Sequence, residues 1–188
     1  ISYSISSQSN DKPDQGYENS LSSVGISTTF EQYKDLDVNL GLLFSYDDLR
    51  TDGTASAALK KQDGTFSDLS TIYGFTYDKR DRAFKPTSGS IFSFNQSIPV
   101  YADKSYLDNR INYSLYNAFS ENLIGAAKFH VSTINGLGSD DVRLSKRKGI
   151  STRRLRGFQK NKVGPLDGTD HIGGNYVTAI NFNSTLPY

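Results

Sequence analysis

The sequence predicts an all-β protein, an antiparallel up-and-down sheet of about eight strands, and three observations carry that reading. Apolar side chains recur at every second position along several segments, as they do in a strand with two unlike faces. Connections between these segments alternate between short and long. No segment carries an apolar stripe at helical spacing, and the dense Ser, Thr, Asn and Gly content disfavours helix.

The clearest element is VNLGLLFSY, residues 38–46, where Val38, Leu40, Leu42, Phe44 and Tyr46 alternate with Asn39, Gly41, Leu43 and Ser45. The pattern recurs at Val24, Ile26, Thr28 and Phe30, and at Thr71, Tyr73, Phe75 and Tyr77. It returns at Ile111, Tyr113 and Leu115, then at Ala127, Phe129 and Val131, and last at Tyr176, Thr178, Ile180 and Phe182. Ile1 to Ser7 and Ile91 to Ile98 complete the set. Between them, 31–35 and 119–122 are short, 80–88 is tight, 10–19 and 99–105 are intermediate, and 50–67 and 136–172 are long. Short turns at one end and long loops at the other is the layout of an outer-membrane barrel, with the long loops outside.

The second face is polar: Asp37, Asn39, Ser45 and Asp47 on one strand, Asp108, Arg110, Asn112 and Ser114 on another, Lys128, His130 and Ser132 on a third. That suits a watery lumen, and several segments reach the roughly 9–11 residues a tilted membrane strand needs. The polar average composition by itself favours a soluble antiparallel barrel or sandwich, and loop alternation and strand length offset that. On patterning alone both architectures stand.

Composition narrows the function classes. At 188 residues with a formal net charge of +1, the chain forms one domain without a basic field for nucleic acid. Cysteine is absent and histidine occurs twice, at His130 and His171, which argues against disulfides, thiolate metal sites and multi-histidine metal sites. With no methionine, the chain reads as a piece of a longer protein. No apolar run approaches the roughly 20 residues of a membrane-spanning helix. Twelve Tyr and eleven Phe in a chain only 36% hydrophobic call for an apolar surface or a boundary between apolar and wet phases.

Two motifs settle the architecture. In YGFTYDKRDRAFKPTSGSIFSFNQSIP, residues 73–99, a strand ends in Asp78-x-Arg80-Asp81, and a turn through Pro86 and Gly89 starts the next. In RLRGFQKNKVGPLDGTDHIGGNYVTAINFNSTLP, residues 154–187, an Arg156-Gly157-Phe158 tip precedes Gly164-Pro165, and Ile172-Gly173-Gly174-Asn175 opens a strand. In this order, across essentially the whole chain, they resemble the BamA family of outer-membrane assembly barrels. The expected fold is therefore an antiparallel up-and-down transmembrane β-barrel fragment of about eight strands, residues 1–188 forming part of a single C-terminal barrel domain.

The resemblance implies that the full-length protein folds and inserts β-barrel proteins into the bacterial outer membrane. Its partners would be outer-membrane lipids, unfolded outer-membrane substrates, and accessory assembly lipoproteins bound through periplasmic repeat domains. A secretion channel or passive pore of a related family is the alternative. No cofactor, metal or nucleic acid is implied, and no enzyme is expected, since His130 is the only strand-borne histidine and no G-x-S-x-G motif accompanies it. The resemblance also implies that the long loop folds back into the lumen, where Arg156 meets carboxylates of the wall beside Phe158. Asn183 stands where family members often carry an acid, and the family's first and last strands and periplasmic repeats are expected to lie outside this chain. Arg156 is therefore expected to be held weakly here. Arg143, Lys146, Arg147 and Lys148 read as a solvated face. Unpaired strand edges would let the isolated chain close into a smaller barrel or self-associate.

Overall fold

Eight strands form one antiparallel sheet in chain order: β1 (Ser2–Lys12), β2 (Tyr17–Tyr33), β3 (Leu36–Thr51), β4 (Gly64–Asp78), β5 (Gly89–Ala102), β6 (Tyr106–Ala118), β7 (Ile124–Gly136) and, after the long loop, β10 (Tyr176–Thr185). Inside that loop, β8 (Leu166–Asp167) and β9 (Asp170–His171) make a small ribbon, and a four-residue helix α1 (Ala57–Lys60) interrupts the β3–β4 connection. The computed structural model describes residues 1–12, 16–121, 123–138, 141–159 and 162–185. Parts of the expected 10–19, 119–122 and 136–172 connections, and Lys160, Asn161, Leu186 and Pro187 of the second motif, lie outside the described residues.

The sheet is an open meander. No pairing joins β1 to β10 among the described residues, so the chain does not curl into the smaller closed barrel weighed above. No described helix is long and apolar enough to cross a membrane. β2 and β3 span Tyr17–Tyr33 and Leu36–Thr51, well beyond the roughly 9–11 residues a membrane strand needs, so one end of this hairpin can project past the hydrocarbon.

Register explains the two faces. Val38 pairs with Phe30 on one side and Phe75 on the other, and Phe75 pairs with Phe94, so one apolar row runs across four strands. Phe75 lies 5.7 Å from the rings of both Phe92 and Phe94. On this convex face Leu42, Phe44 and Tyr46 are 47%, 45% and 43% exposed, while their neighbours Ser45 and Asp47 on the concave face are 5% and 0% exposed. A soluble sandwich would bury the aromatic row and wet the polar one. Here the polarity is inverted, as lipid outside and a lumen inside require.

Several connections are shorter than the sequence pattern predicts, among them 31–35, which narrows to 34–35, and 50–67, which narrows to 52–63. The 99–105 connection shrinks to 103–105 because β5 continues to Ala102 through a register shift opposite Leu69 and Ser70. The 10–19 connection shrinks because β1 and β2 stay paired out to Lys12 and Tyr17. The ends still alternate: connections at 34–35, 79–88 and 119–123 share one end of the sheet, and 52–63, 103–105 and 137–175 share the other. The apolar core sits at the second end, where Leu144 from the long loop packs with Tyr17, Leu49, Ala55 and Leu59.

Candidate functional site

The D-x-R-D turn is a self-contained lock. Arg80 grips Asp78 with two nitrogens, Nε at 2.8 Å and Nη2 at 2.6 Å, and its Nη1 donates to Ala83 O at 3.2 Å. Asp81 accepts from Thr87 Oγ1 at 2.7 Å and from the backbone N–H groups of Thr87 and Ser88 at 2.9 and 3.2 Å. Those hydrogen bonds, with the nearby Arg82, hold the Asp81 carboxyl down at about 2, so it stays ionised at neutral pH. The chain reverses at Lys85, with φ of 49°, just before Pro86, and Gly89 carries φ of 93°. A Cβ at Gly89 would stand 2.0 Å from Lys79 O, so only glycine fits this close backbone approach. All five motif residues therefore serve the hairpin between β4 and β5.

The long loop enters the concave face at Arg143, whose side chain is fully buried. Its guanidinium bonds to the Asp68 carboxylate and, at 2.9 Å, to the Tyr106 hydroxyl, which itself donates to Asp68 at 2.9 Å. Asp47 lies 3.9 Å away, and the ring of Phe66 underlies the guanidinium at 4.5 Å. Lys146 adds a second cation 3.4 Å from Asp68. Burial pulls its ammonium below the ordinary lysine value, and Asp68 opposes that shift. Asn19 donates to Asp47 at 2.8 Å, and Ser145 bonds the same carboxylate. Two cations meet two carboxylates, so the buried site is balanced.

This corrects the solvated reading of Arg143, Lys146, Arg147 and Lys148. Lys148 bonds to Asp108 on β6, and Arg147 reaches Asp141 at 2.9 Å, with only 12% and 13% of their side chains exposed. Charge clusters in loops are solvated when no opposite charge faces them. Here inward-pointing acids on β3, β4 and β6 face Arg143, Lys146 and Lys148, and Arg147 pairs with Asp141 within the loop. The sequence signal that marks these acids is aspartate at an inward position of a strand, a residue type depleted there; Asp47 and Asp108 stood out by it, and Asp68 was missed.

Beyond Lys148 the loop runs over β6, β7 and β10. Lys148 and Gly174 exchange backbone bonds of 2.7 and 2.9 Å, which ties the loop to the start of β10. Gly173 has φ of 69° and a Cβ there would meet Lys148 O at 2.9 Å. Asn175 O accepts from Ile134 N at 2.8 Å, and Pro165 O accepts from Ile172 N at 3.2 Å after Gly164 turns the chain. The Gly164-Pro165 and Gly173-Gly174-Asn175 motif thus closes the base of the loop onto the sheet.

The tip behaves differently. Arg154, not Arg156, reaches the wall: its Nη2 donates to Asn112 Oδ1 at 3.2 Å and its carbonyl accepts from Asn181 at 2.7 Å. His130, expected to be solvated, is 9% exposed, with Nδ1 2.7 Å from the same Asn112 oxygen. Because that oxygen also accepts from Arg154, Nδ1 carries the imidazole proton. Arg156 borders a cavity of about 1030 Å³ together with Lys128, Asn181 and Asn183, but it has no ion pair among the described residues. Gly157 turns at φ of 86° with nothing near it, and Phe158 is 57% exposed. The amides of Asn181 and Asn183 cannot balance a guanidinium, so the tip projects where a carboxylate would seat it.

The site as a whole is a pleated sheet with an apolar convex face and a loop drawn into its polar concave face. The Omp85 superfamily domain matches residues 1–188. The chain is 22% identical over 140 residues to the human sorting and assembly machinery component 50 homolog, covering 72% of this chain and 30% of that protein. It is 25% identical over 138 residues to the outer membrane protein assembly factor BamA of Nitratidesulfovibrio vulgaris, covering 69% of this chain and 17% of that protein. The crystal structure of BamA from Haemophilus ducreyi lacking POTRA domains 1–3 superposes with a TM-score of 0.83 at 19% identity, over 98% of this chain and 41% of that one. The chain thus spans under a third of the length of these two sequence relatives. With a family match across its full length, the chain belongs to the Omp85 superfamily.

Proposed function

We propose that this chain is part of a barrel that folds and inserts other β-barrel proteins into a bacterial outer membrane. The observation that carries the reading is the family match over residues 1–188, joined to relatives named for assembly. Unfolded outer-membrane proteins are its substrates, lipids surround the aromatic convex face, and accessory lipoproteins bind outside this chain. The work done is exchange of backbone hydrogen bonds at a strand edge, so no covalent catalysis and no cofactor enters.

The loop supports assembly over a passive pore, since residues 141–159 lie against the concave face and take up part of the space a solute would have to traverse. The test places the full-length protein in lipid vesicles with an unfolded outer-membrane barrel. Folding several-fold faster than in empty vesicles, with little ion conductance, is the expected result. Steady conductance without acceleration supports the pore and sinks the assembly reading.

A further inference from the structure

We propose that Arg143 is the positioning residue that seats the long loop in the lumen, fixing its root independently of the Arg156 tip. The patch under Arg143 is built from two paired strands, where Ser45 faces Asp68 and Asp47 faces Phe66 across the β3–β4 ladder. Its guanidinium lies over the Phe66 ring, meets Asp68 and the Tyr106 hydroxyl, and has Asp47 within 3.9 Å. One guanidinium nitrogen, Nη2, bonds both Asp68 and the Tyr106 hydroxyl while the guanidinium plane lies over the Phe66 ring and Nη1 faces Asp47, a stacked reach to two strands that lysine cannot reproduce. Neighbouring contacts reinforce it: Val142 packs with Tyr106 and Ile134, and Leu144 accepts from Tyr17 Oη at 3.4 Å and donates to Gln62 at 2.9 Å.

Further along, Lys148 holds Asp108 and Arg154 holds Asn112, so the loop braces β3 and β4 against β6 and β10 across the concave face. Hold on the wall declines along the loop, from fully buried Arg143 to exposed Arg156. The root therefore stays docked while the tip is free to exchange partners. This deepens the assembly-barrel reading and rests on it only for where the loop acts.

The chain has no cysteine, so a Val142→Cys reporter is unambiguous within it. Val142 is 1% exposed, and in the full-length protein in lipid vesicles a polar maleimide should label it slowly. Arg143→Met keeps much of the bulk and removes the charge; it should speed labelling about a hundredfold, since buried Asp68 loses its nearest cation and keeps only Lys146 at 3.4 Å. Arg143→Lys, which keeps the charge without the planar guanidinium stacked on Phe66, should speed it about tenfold. Arg156→Ala should leave the rate unchanged. Labelling is scored only on the folded, heat-modifiable band. If Arg143→Met yields no such band, Arg143→Lys decides, because it must still label faster than Arg156→Ala. Unchanged labelling in the Arg143 variants, or equal acceleration by Arg156→Ala, overturns the proposal. No substrate enters the measurement, so failure of the assembly reading is detected separately, by the vesicle folding assay.

Discussion

Asp68→Ala in the full-length protein is expected to lower folded-state stability by about 3–5 kcal/mol, the usual consequence of stripping one partner from a buried ion pair. Asp68 is 2% exposed and accepts from Arg143, from the Tyr106 hydroxyl at 2.9 Å and from Ser45 at 3.3 Å, with Lys146 at 3.4 Å. Its loss leaves two cations facing Asp47 alone, and Asp47 stands 3.9 Å from the Arg143 guanidinium. The whole cluster adds little compared with an apolar filling; the loss comes from breaking it on one side. Asp48→Ala is the control, since among the described residues Asp48 pairs with Arg50, whose side chain is 71% exposed, and such surface pairs are worth about 0–1 kcal/mol. Urea unfolding in vesicles measures both. Equal shifts would show that the cluster does not hold the loop.

Gly89→Val should be nearly as damaging, and through the backbone alone. At φ of 93° a branched side chain is strained, which costs about 1–3 kcal/mol. Its Cβ would also lie 2.0 Å from Lys79 O and 2.9 Å from Arg80 Cα, neither of which is a side chain that can swing away. The hairpin must open, giving up the bonds from Lys79 N to Ser90 O at 2.8 Å and from Asp81 N to Ser88 O at 3.1 Å. Each is worth about 1 kcal/mol. The summed loss is about 3–5 kcal/mol, read as a lower urea midpoint and a smaller folded fraction. Gly53→Ala, where nothing lies within 4 Å of the added atom, should leave both unchanged. A Gly89→Val protein as stable as Gly53→Ala would mean that the turn does not have this geometry.

Both sites show how far local pattern reaches. The eight-stranded meander was legible because period-two alternation is a property of each strand by itself, as in Val38 to Tyr46. The turn through Pro86 and Gly89 was legible for the same reason, since its partners lie within a few residues. Arg143 was not. Its partners Asp47 and Asp68 lie far back in the chain, and a basic run in a loop looks the same whether acids await it or water does. The resemblance pointed to Arg156, yet in this chain Arg154 takes the wall contact, its guanidinium donating to Asn112 and its backbone carbonyl accepting from Asn181.

The inverted sheet sets lipid against the convex face and the loop against the concave one. Nitroxide labels placed singly along β3 from Val38 to Leu49, in the full-length protein in bilayers, test this most directly. Collision with oxygen should peak at Leu40, Leu42, Phe44 and Tyr46 and fall at Asn39, Ser45 and Asp47, with a period of two residues. A polar nickel reagent reaching Leu42 and Phe44 freely, or an oxygen profile without that alternation, would contradict the account.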